Sequence, residues 1–273
     1  MTSTLTLPPP RYQVELIAER NRHTYRATPQ HDMPLLLPGV TGELDIIGGE
    51  KSHRIRNWAV REAVDSVKWA LKEQLHGQRR RQVYLTENWI DMVIAEAKAR
   101  PDKIKDDAAD LGTLAHALID RYVRGERGMD IPKELLPAMV SFATWWDEQK
   151  LRFVAGDTKV ASVVYGYGGS LDAIAIDYDG RYVLLDWKTS NGIREDYALQ
   201  LAAYRVAVEE QYGITIDRAL CARFGKKMPI DFEAQQVRNL DASFQSFLLA
   251  RDLRASLAQE LFVKPQEEKQ HVQ

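Results

Sequence analysis

The spacing of the hydrophobic residues changes near residue 150 of this 273-residue chain. Before that point apolar residues recur every three or four positions, which is typical of helices. After it they tend to alternate with polar ones, which is typical of strands. A mixed α/β domain built around one sheet is therefore predicted. Its elements, in order, are three strands, a helix, two strands and a helix: residues 151–164, 169–177, 181–188, 195–212, 216–224, 229–236 and 240–262.

The part before this change is predicted to be largely helical. Helical spacing runs over about residues 52–100 and again over 106–126, and Pro101 is expected to end the first of these stretches. Residues 11–50 are irregular and strand-like, with a short strand predicted over 22–27. The predicted division of the chain is an N-terminal segment with a helical lobe (1–105), a core (106–263) and a disordered tail (264–273).

Composition excludes several classes of protein. The formal net charge is −2, so the chain does not coat nucleic acid by bulk charge, although a local basic groove is compatible with it. Cys221 is the single cysteine, which excludes internal disulfides and an iron–sulfur cluster held by four cysteines. No apolar run reaches the ~20 residues that span a membrane, and no secretory signal precedes the first helix. A cytoplasmic protein is expected.

A charged pair ends one strongly hydrophobic strand. In a strand, residues two apart point to the same face, so Asp186 and Lys188 project together and Trp187 points to the other face. The preceding run, Val183 to Leu185, indicates a strand buried on both sides. Charges at the end of such a strand need a structural or chemical reason.

A hairpin is predicted to bring a second carboxylate to this pair. With a three-residue loop, Tyr178 to Gly180, and Gly180 at positive φ, residue 177 faces 181 and Asp172 faces Asp186. Cβ atoms of residues facing each other across two strands lie roughly 5 Å apart. A two-residue loop would instead place Asp172 opposite Trp187.

Two facing carboxylates repel each other, by about 3 kcal/mol at ~5 Å in an effective dielectric near 20. A divalent cation between them reverses the sign, and hard oxygen ligands suit Mg²⁺ or Mn²⁺ better than zinc. The alternative at this point is a purely structural network in which Lys188 neutralises one of the two carboxylates.

The wider pattern resembles the RecB-type exonuclease branch of the PD-(D/E)XK nuclease superfamily. The motifs of that branch occur in the family order over about residues 106–212. They are His116 in GTLAHALID, Asp172 in YGGSLD, Asp186 and Lys188 in LDWKTS, and Gln200 with Tyr204 in QLAAY. The branch has phage and bacterial members, and the mitochondrial genome-maintenance exonuclease is related to it. The resemblance implies a restriction-endonuclease-like core, a mixed central sheet flanked by helices.

The resemblance also implies a role for each residue. His116, Asp172, Asp186 and the carbonyl of Trp187 would bind one or two Mg²⁺ or Mn²⁺ ions. Lys188 would polarise the attacking water and offset charge on the phosphate. Gln200 and Tyr204 would bind near the scissile phosphate or orient the lysine. Ordinary helix packing is the alternative for His116 and for the Gln–Tyr pair. Family members with a second metal often carry a Glu one strand earlier, where Asp157 is the nearest acidic residue here.

The helical lobe carries a candidate DNA-binding segment. Arg79, Arg80 and Arg81 lie between helices rich in tryptophan, a combination that suits single-stranded DNA. The alternative is a solvated basic loop between packed helices. Thr189 and Ser190, directly after the catalytic strand, are candidate phosphate donors.

The predicted function is that of a metal-dependent DNA exonuclease in phage or bacterial recombination, repair or replication. The partners implied are DNA with a free end and a single-strand annealing or recombination protein. Alternatives are a structure-specific endonuclease of the same fold and a non-catalytic DNA-binding module. The sequence does not predict an oligomeric state.

Overall fold

A computed structural model describes residues 5–19, 22–30, 32–76, 86–225 and 230–259. Within these residues the chain forms one three-stranded and one five-stranded sheet, with helices packed against them, so the predicted mixed α/β class is confirmed. The elements are β1 (Tyr12–Glu19), β2 (Arg22–Pro29), β3 (Leu35–Pro38), α1 (Val40–Glu43), a 3-10 helix (Leu44–Gly48), α2 (Gly49–His76), α3 (Glu87–Val123), α4 (Leu136–Glu148), β4 (Arg152–Ser162), β5 (Tyr167–Ile176), β6 (Tyr182–Thr189), α5 (Glu195–Tyr212), β7 (Ile216–Phe224), β8 (Phe232–Gln236) and α6 (Leu240–Leu257).

The five strands of the larger sheet lie in the order β4-β5-β6-β7-β8. β6 and β7 are parallel and are joined through α5, whereas the other neighbouring strands are antiparallel. Each face of the sheet carries its own apolar core. On one side the core includes α5 and α6, and on the other it includes α3 and α4. The central strands are therefore buried on both faces, as their near-continuous hydrophobic runs predict.

The hairpin between β5 and β6 has the predicted register. Ala173 faces Leu185 and Ile176 faces Tyr182, so the same pairing extended by one residue places Asp172 opposite Asp186. The loop has three residues, and Gly180 adopts φ +79°. Glycine adopts this left-handed conformation without the steric cost that a Cβ would bring.

The N-terminal segment is more regular than predicted. β1, β2 and β3 form an antiparallel sheet, in which the short predicted strand becomes the longer β2. Tyr25 and Ala27 of β2 are buried and alternate with outward residues, and they pack with Tyr12 and Leu37 from the neighbouring strands. The alternation along β1 is weak because the apolar Ile17 occupies an outward position, and this strand was missed.

The prediction that Pro101 ends a helix is wrong. α3 runs without interruption from Glu87 to Val123 and contains Pro101. Val93 and Ala97 are buried on one side of the proline, and Ala115 and Leu118 on the other. Burial on both sides offsets the ~3 kcal/mol that a proline costs inside a helix.

The predicted division of the chain into domains remains a prediction. Its boundary at residue 105 lies inside α3. The predicted tail, residues 264–273, lies outside the described residues. None of the helices in the described part of the chain combines the length and hydropathy that crossing a membrane requires.

Candidate active site

Three elements bring the predicted acidic and imidazole groups together. Asp172 comes from β5, Asp186 from β6, and His116 from the helix α3 that packs across the end of the sheet. The Asp172 Oδ2 accepts a hydrogen bond of 2.6 Å from the backbone N–H of Trp187. The His116 Nδ1 lies 3.7 Å from the Asp172 Oδ1. The hairpin register thus holds one carboxylate against the backbone of the strand that carries the other.

Asp186 and Lys188 form a buried charged pair on the same face of β6. Asp186 is 2% exposed, and the ammonium of Lys188 contacts its Oδ2. This contact is not aligned as a hydrogen bond, so that oxygen has no hydrogen-bond partner among the described residues. The Lys188 ammonium compensates the charge of this carboxylate, so the pair is buried with its charge balanced.

Gln200 and Tyr204 lie one turn apart on α5, and both are buried. The Gln200 amide donates a hydrogen bond of 2.7 Å to the Tyr204 hydroxyl oxygen, which leaves the tyrosine O–H free to donate elsewhere. The carboxylates of Asp186 and Asp172 are close enough to Tyr204 to raise its pKa, although burial contributes more to that rise. The structure therefore brings this pair to the carboxylates, as the resemblance implies.

The facing carboxylates bind one proton more tightly than a single carboxylate in water would. Burial, together with the neighbouring Asp186 carboxylate, raises the pKa of Asp172 to about 8. The Lys188 ammonium and the N–H of Trp187 oppose this rise without cancelling it. With Asp172 protonated and Asp186 paired with Lys188, the site is close to neutral at pH 7, and ionisation of Asp172 would add a negative charge that a bound cation would compensate.

The neighbouring groups are held in defined protonation states. Burial lowers the pKa of His116, so its imidazole is neutral at pH 7 and free to ligate a metal. Burial also disfavours the Lys188 ammonium, but the Asp186 and Asp172 carboxylates outweigh burial and raise the pKa of that lysine. Lys188 is therefore a fixed positive charge and not a base.

The donor set fits a hard divalent cation. Two carboxylates face each other, and a neutral imidazole stands beside them. These are ligands that Mg²⁺ and Mn²⁺ accept. In the described residues, however, no three His, Cys, Asp or Glu side chains are already arranged as a metal cage.

Asp157 does not join this group. The register of β4 with β5 places it opposite Asp172, because Gly156 faces Ala173 and Thr158 faces Leu171. Yet Asp157 adopts φ +48°, and its carboxylate is 85% exposed and pairs with Lys159. This strand therefore contributes no second acidic ligand in the conformation described.

The structure describes only some of the predicted DNA-binding residues. The Ser190 hydroxyl donates to the carbonyl of Gly192, so it stabilises its own loop. Thr189 lies against α3, and a Cβ built on Gly112 would come within 2.7 Å of the threonine Oγ1. Arg79, Arg80 and Arg81 lie outside the described residues.

Two residues near Lys188 were missed by the sequence reasoning. The Tyr197 ring lies 5.1 Å from the Lys188 Nζ, and its spacing from Gln200 on α5 is a signal that could have revealed it. The buried Arg223 pairs with Asp231 and donates a hydrogen bond of 3.1 Å to the Ser190 carbonyl. Only the parallel pairing of β6 with β7 places Arg223 beside Lys188, and sequence alone does not give that pairing.

The raised pKa of Asp172 predicts how stability depends on pH. A carboxyl whose pKa rises from 3.8 when unfolded to about 8 when folded stabilises the fold fully below pH 3.8. That contribution is lost as the pH rises through about 8. In chelator, the free energy of unfolding of the wild type is expected to decline over this range more than that of Asp172→Asn, as measured by urea melts.

Metal ions are expected to reverse this trend, because they bind the ionised carboxylate and displace its proton. Added Mn²⁺ should raise the melting temperature of the wild type more at pH 8.5 than at pH 6, and that of Asp172→Asn little at either pH. Equal pH slopes for the wild type and Asp172→Asn in chelator would contradict the assignment of the proton to this residue.

Comparisons with known proteins identify a family for this chain. The family model of the PD-(D/E)XK nuclease superfamily matches residues 130–270, just over half of the chain. A search of curated proteins finds no match. Solved structures with similarity include a candidate exonuclease from Eubacterium rectale, at 14% identity and a TM-score of 0.35, covering 54% of this chain and 66% of that one. The alkaline exonuclease of Laribacter hongkongensis aligns at 13% identity and a TM-score of 0.29, covering 54% and 81%.

Similarities at such TM-scores carry no weight by themselves. The family match does, because it covers β5, β6 and α5 and therefore includes Asp172, Asp186, Lys188, Gln200 and Tyr204. On this match, the chain belongs to the PD-(D/E)XK nuclease superfamily.

Proposed function

We propose that this protein is a metal-dependent deoxyribonuclease that hydrolyses phosphodiester bonds from a DNA end. The observation that supports this most directly is the pair of facing carboxylates, Asp172 and Asp186, with Lys188 and His116 beside them. All of these residues except His116 lie within the segment that matches the nuclease superfamily.

Asp172, Asp186, His116 and the carbonyl of Trp187 would hold Mg²⁺ or Mn²⁺. When bound, the ion supplies Lewis-acid stabilisation of the charge that develops on the phosphate, and a water of lowered pKa. The raised pKa of Asp172 means that the proton on this carboxyl must leave before the ion binds.

The other side chains position the reacting groups. The Lys188 ammonium is fixed by Asp186 and by the Tyr197 ring, and it would offset the negative charge of the scissile phosphate. The Tyr204 hydroxyl accepts from Gln200, so its own proton would be available to donate to a phosphate oxygen or a water. Burial, the ion pair of Lys188 with Asp186 and the hydrogen bond of Gln200 to Tyr204 hold these groups near one another.

The proposed requirement for a DNA end is supported by the resemblance to RecB-type exonucleases. Digestion of end-labelled and circular substrates tests it. Single-stranded and double-stranded oligonucleotides labelled at either end are incubated with Mg²⁺, Mn²⁺ or chelator. We expect stepwise shortening with either metal and none with chelator. A circular single strand of the same composition should stay intact.

Each departure from that result identifies a different function. Cleavage of the circular strand would show a structure-specific endonuclease. Binding of every substrate without cleavage in any metal would show a non-catalytic DNA-binding module. The proposed setting, recombination, repair or replication in a bacterium or an infected host cell, has the resemblance alone as its support.

A second prediction concerns the arginine-rich connector between α2 and α3. We expect Arg79→Ala, Arg80→Ala and Arg81→Ala combined to weaken DNA binding and to flatten its dependence on salt. Each phosphate of a single strand that the variant no longer neutralises lowers the slope of log affinity against log salt by about 0.7, so a drop of about 2 is expected. Fluorescence anisotropy from low to high salt measures it, and an unchanged slope would remove the connector from the DNA path.

A further inference from the structure

The Tyr197 ring, in the first turn of α5, packs against two positive side chains. The Lys188 Nζ lies over this ring at 5.1 Å from its centroid, and the Arg194 guanidinium carbon lies over it at 4.4 Å. Tyr197 is 7% exposed and the Lys188 side chain 19% exposed, so their contact is largely shielded from water. The face of an aromatic ring attracts a cation, and the attraction is stronger where the two groups are desolvated.

The ring is itself held by its neighbours. The Arg194 guanidinium donates two hydrogen bonds, of 2.9 and 2.7 Å, to the Asp196 carboxylate. A bidentate pair of this kind fixes the orientation of the guanidinium, which keeps it against the ring. Tyr197 also belongs to the apolar core on the α5 side of the large sheet. Its ring therefore has little freedom to move away from Lys188.

Lys188 needs a partner besides Asp186 to keep its ammonium in one place. A lysine side chain is a compact charge on a flexible four-carbon stem. The Asp186 carboxylate supplies the opposite charge, but its contact with Lys188 is not aligned as a hydrogen bond and so constrains the direction of the ammonium weakly. Asp186 is also a proposed metal ligand, and a cation bound there would repel the ammonium. A neutral ring attracts the ammonium whether or not the carboxylate binds another group.

We propose that Tyr197 is a positioning residue for the nuclease reaction: its ring face holds the Lys188 ammonium in place, and the Arg194–Asp196 pair holds the ring. The proposal rests on the nuclease function proposed above. It predicts that the electron density on the face of the ring, and not only the volume of the ring, determines the cleavage rate. Because Tyr197 acts through Lys188, the rate constant should change and the affinity for DNA should not.

Replacements of Tyr197 separate the ring face from the volume that it fills. Tyr197→Leu keeps an apolar side chain but removes the ring, so we expect the single-turnover rate constant to fall about 10-fold, as for the loss of a desolvated cation–π contact. The affinity for DNA, measured by anisotropy in Ca²⁺, should be unchanged, and Tyr197→Phe should recover most of the lost rate. Tyr178→Leu is the matched control, because it removes an exposed ring that lies 5.2 Å from the Lys150 Nζ, and it should leave the rate unchanged.

A series of increasingly fluorinated phenylalanines in place of Tyr197 makes the same test without removing the ring. Fluorine withdraws electron density from the face of the ring, so the rate constant should fall stepwise along the series towards that of Tyr197→Leu. A ring that only fills space would give one rate across the series, and that result would overturn the proposal.

NMR of the metal-free protein with isotope-labelled lysine measures the contact without catalysis. An aromatic ring shifts the signals of nuclei over its face upfield. The signal of the Lys188 methylene next to the ammonium, assigned by its loss in Lys188→Arg, should therefore lie upfield in the wild type and lose this shift in Tyr197→Leu. If the wild type cuts no DNA but the shift is present and is lost in Tyr197→Leu, the hold of the ring on Lys188 stands and the nuclease function fails. If the wild type cuts DNA and the signal is the same in both proteins, the role of Tyr197 is overturned and the nuclease function stands.

Discussion

Replacing Lys188 with alanine is expected to lower the rate constant for DNA cleavage by about 10³-fold while DNA binding survives. Mutation of a single preorganised electrostatic or acid–base group in other enzymes has effects of this order. The Lys188 ammonium is buried beside Asp186, and the two carboxylates raise its pKa, so its charge is present throughout the neutral pH range. Single-turnover digestion of an end-labelled oligonucleotide measures the rate constant, and anisotropy in Ca²⁺ measures the affinity.

Asp186→Asn tests the same site by removing a proposed metal ligand. The amide keeps the shape of the side chain but loses the charge that would hold the cation, so we expect an equally large loss of cleavage in Mg²⁺. Lys133→Ala and Asp179→Asn make the same chemical changes at exposed positions and should leave the rate unchanged. Substantial Mg²⁺-dependent cleavage by pure Asp186→Asn would show that the site has been assigned to the wrong residues.

The central hairpin could be predicted from the sequence alone, because several local features of the sequence favour the same pairing of its two strands. A glycine at the third loop position and the shared face of Ile174 and Leu184 favour one register. That register is observed from Ala173–Leu185 to Ile176–Tyr182, and Asp172 and Asp186 come next in line. The assignment of the site rested on the family resemblance, and the roles of its residues remain predictions. Its residues lie on regular elements, where spacing determines which side chains share a face.

The features that sequence reasoning missed depend on contacts between distant segments. Burial on both sides of Pro101 keeps α3 continuous, and local propensity could not show this. Asp157 has the register of a third acidic ligand, but its backbone conformation turns the carboxylate to solvent. In each case tertiary packing or backbone geometry outweighs the local pattern.

Gly168 and Gly169, next to the candidate site, also have a role that depends on contacts with distant segments of the chain. The predicted strand begins at Gly169, whereas β5 begins at Tyr167 and contains both glycines. A Cβ on Gly168 would come within 2.6 Å of the Tyr25 side chain, and one on Gly169 would lie 2.2 Å from the Tyr204 ring. These glycines are therefore needed because two aromatic rings pack directly on the strand.

Gly169→Ala is accordingly expected to be damaging to both stability and activity. The Tyr204 ring is buried and hydrogen-bonded to Gln200, so it cannot yield without displacing both residues. Overpacking of this kind lowers the free energy of unfolding by about 1–3 kcal/mol. Displacement of catalytic groups by about 1 Å can lower the cleavage rate by about 10²-fold. Urea melts and single-turnover digestion measure the two effects.

Two further variants decide whether the clash with Tyr204 is the cause. Gly192→Ala makes the same change where a Cβ would meet nothing within 4 Å, so its stability should stay within about 0.5 kcal/mol of the wild type. In a Tyr204→Ala background the ring is gone and the space is restored, so adding Gly169→Ala should then cost little stability. Because residues in contact are not additive, this double-mutant cycle isolates their interaction. An equal loss of stability in both backgrounds would mean that Gly169 is required for a reason other than the packing of Tyr204 over β5.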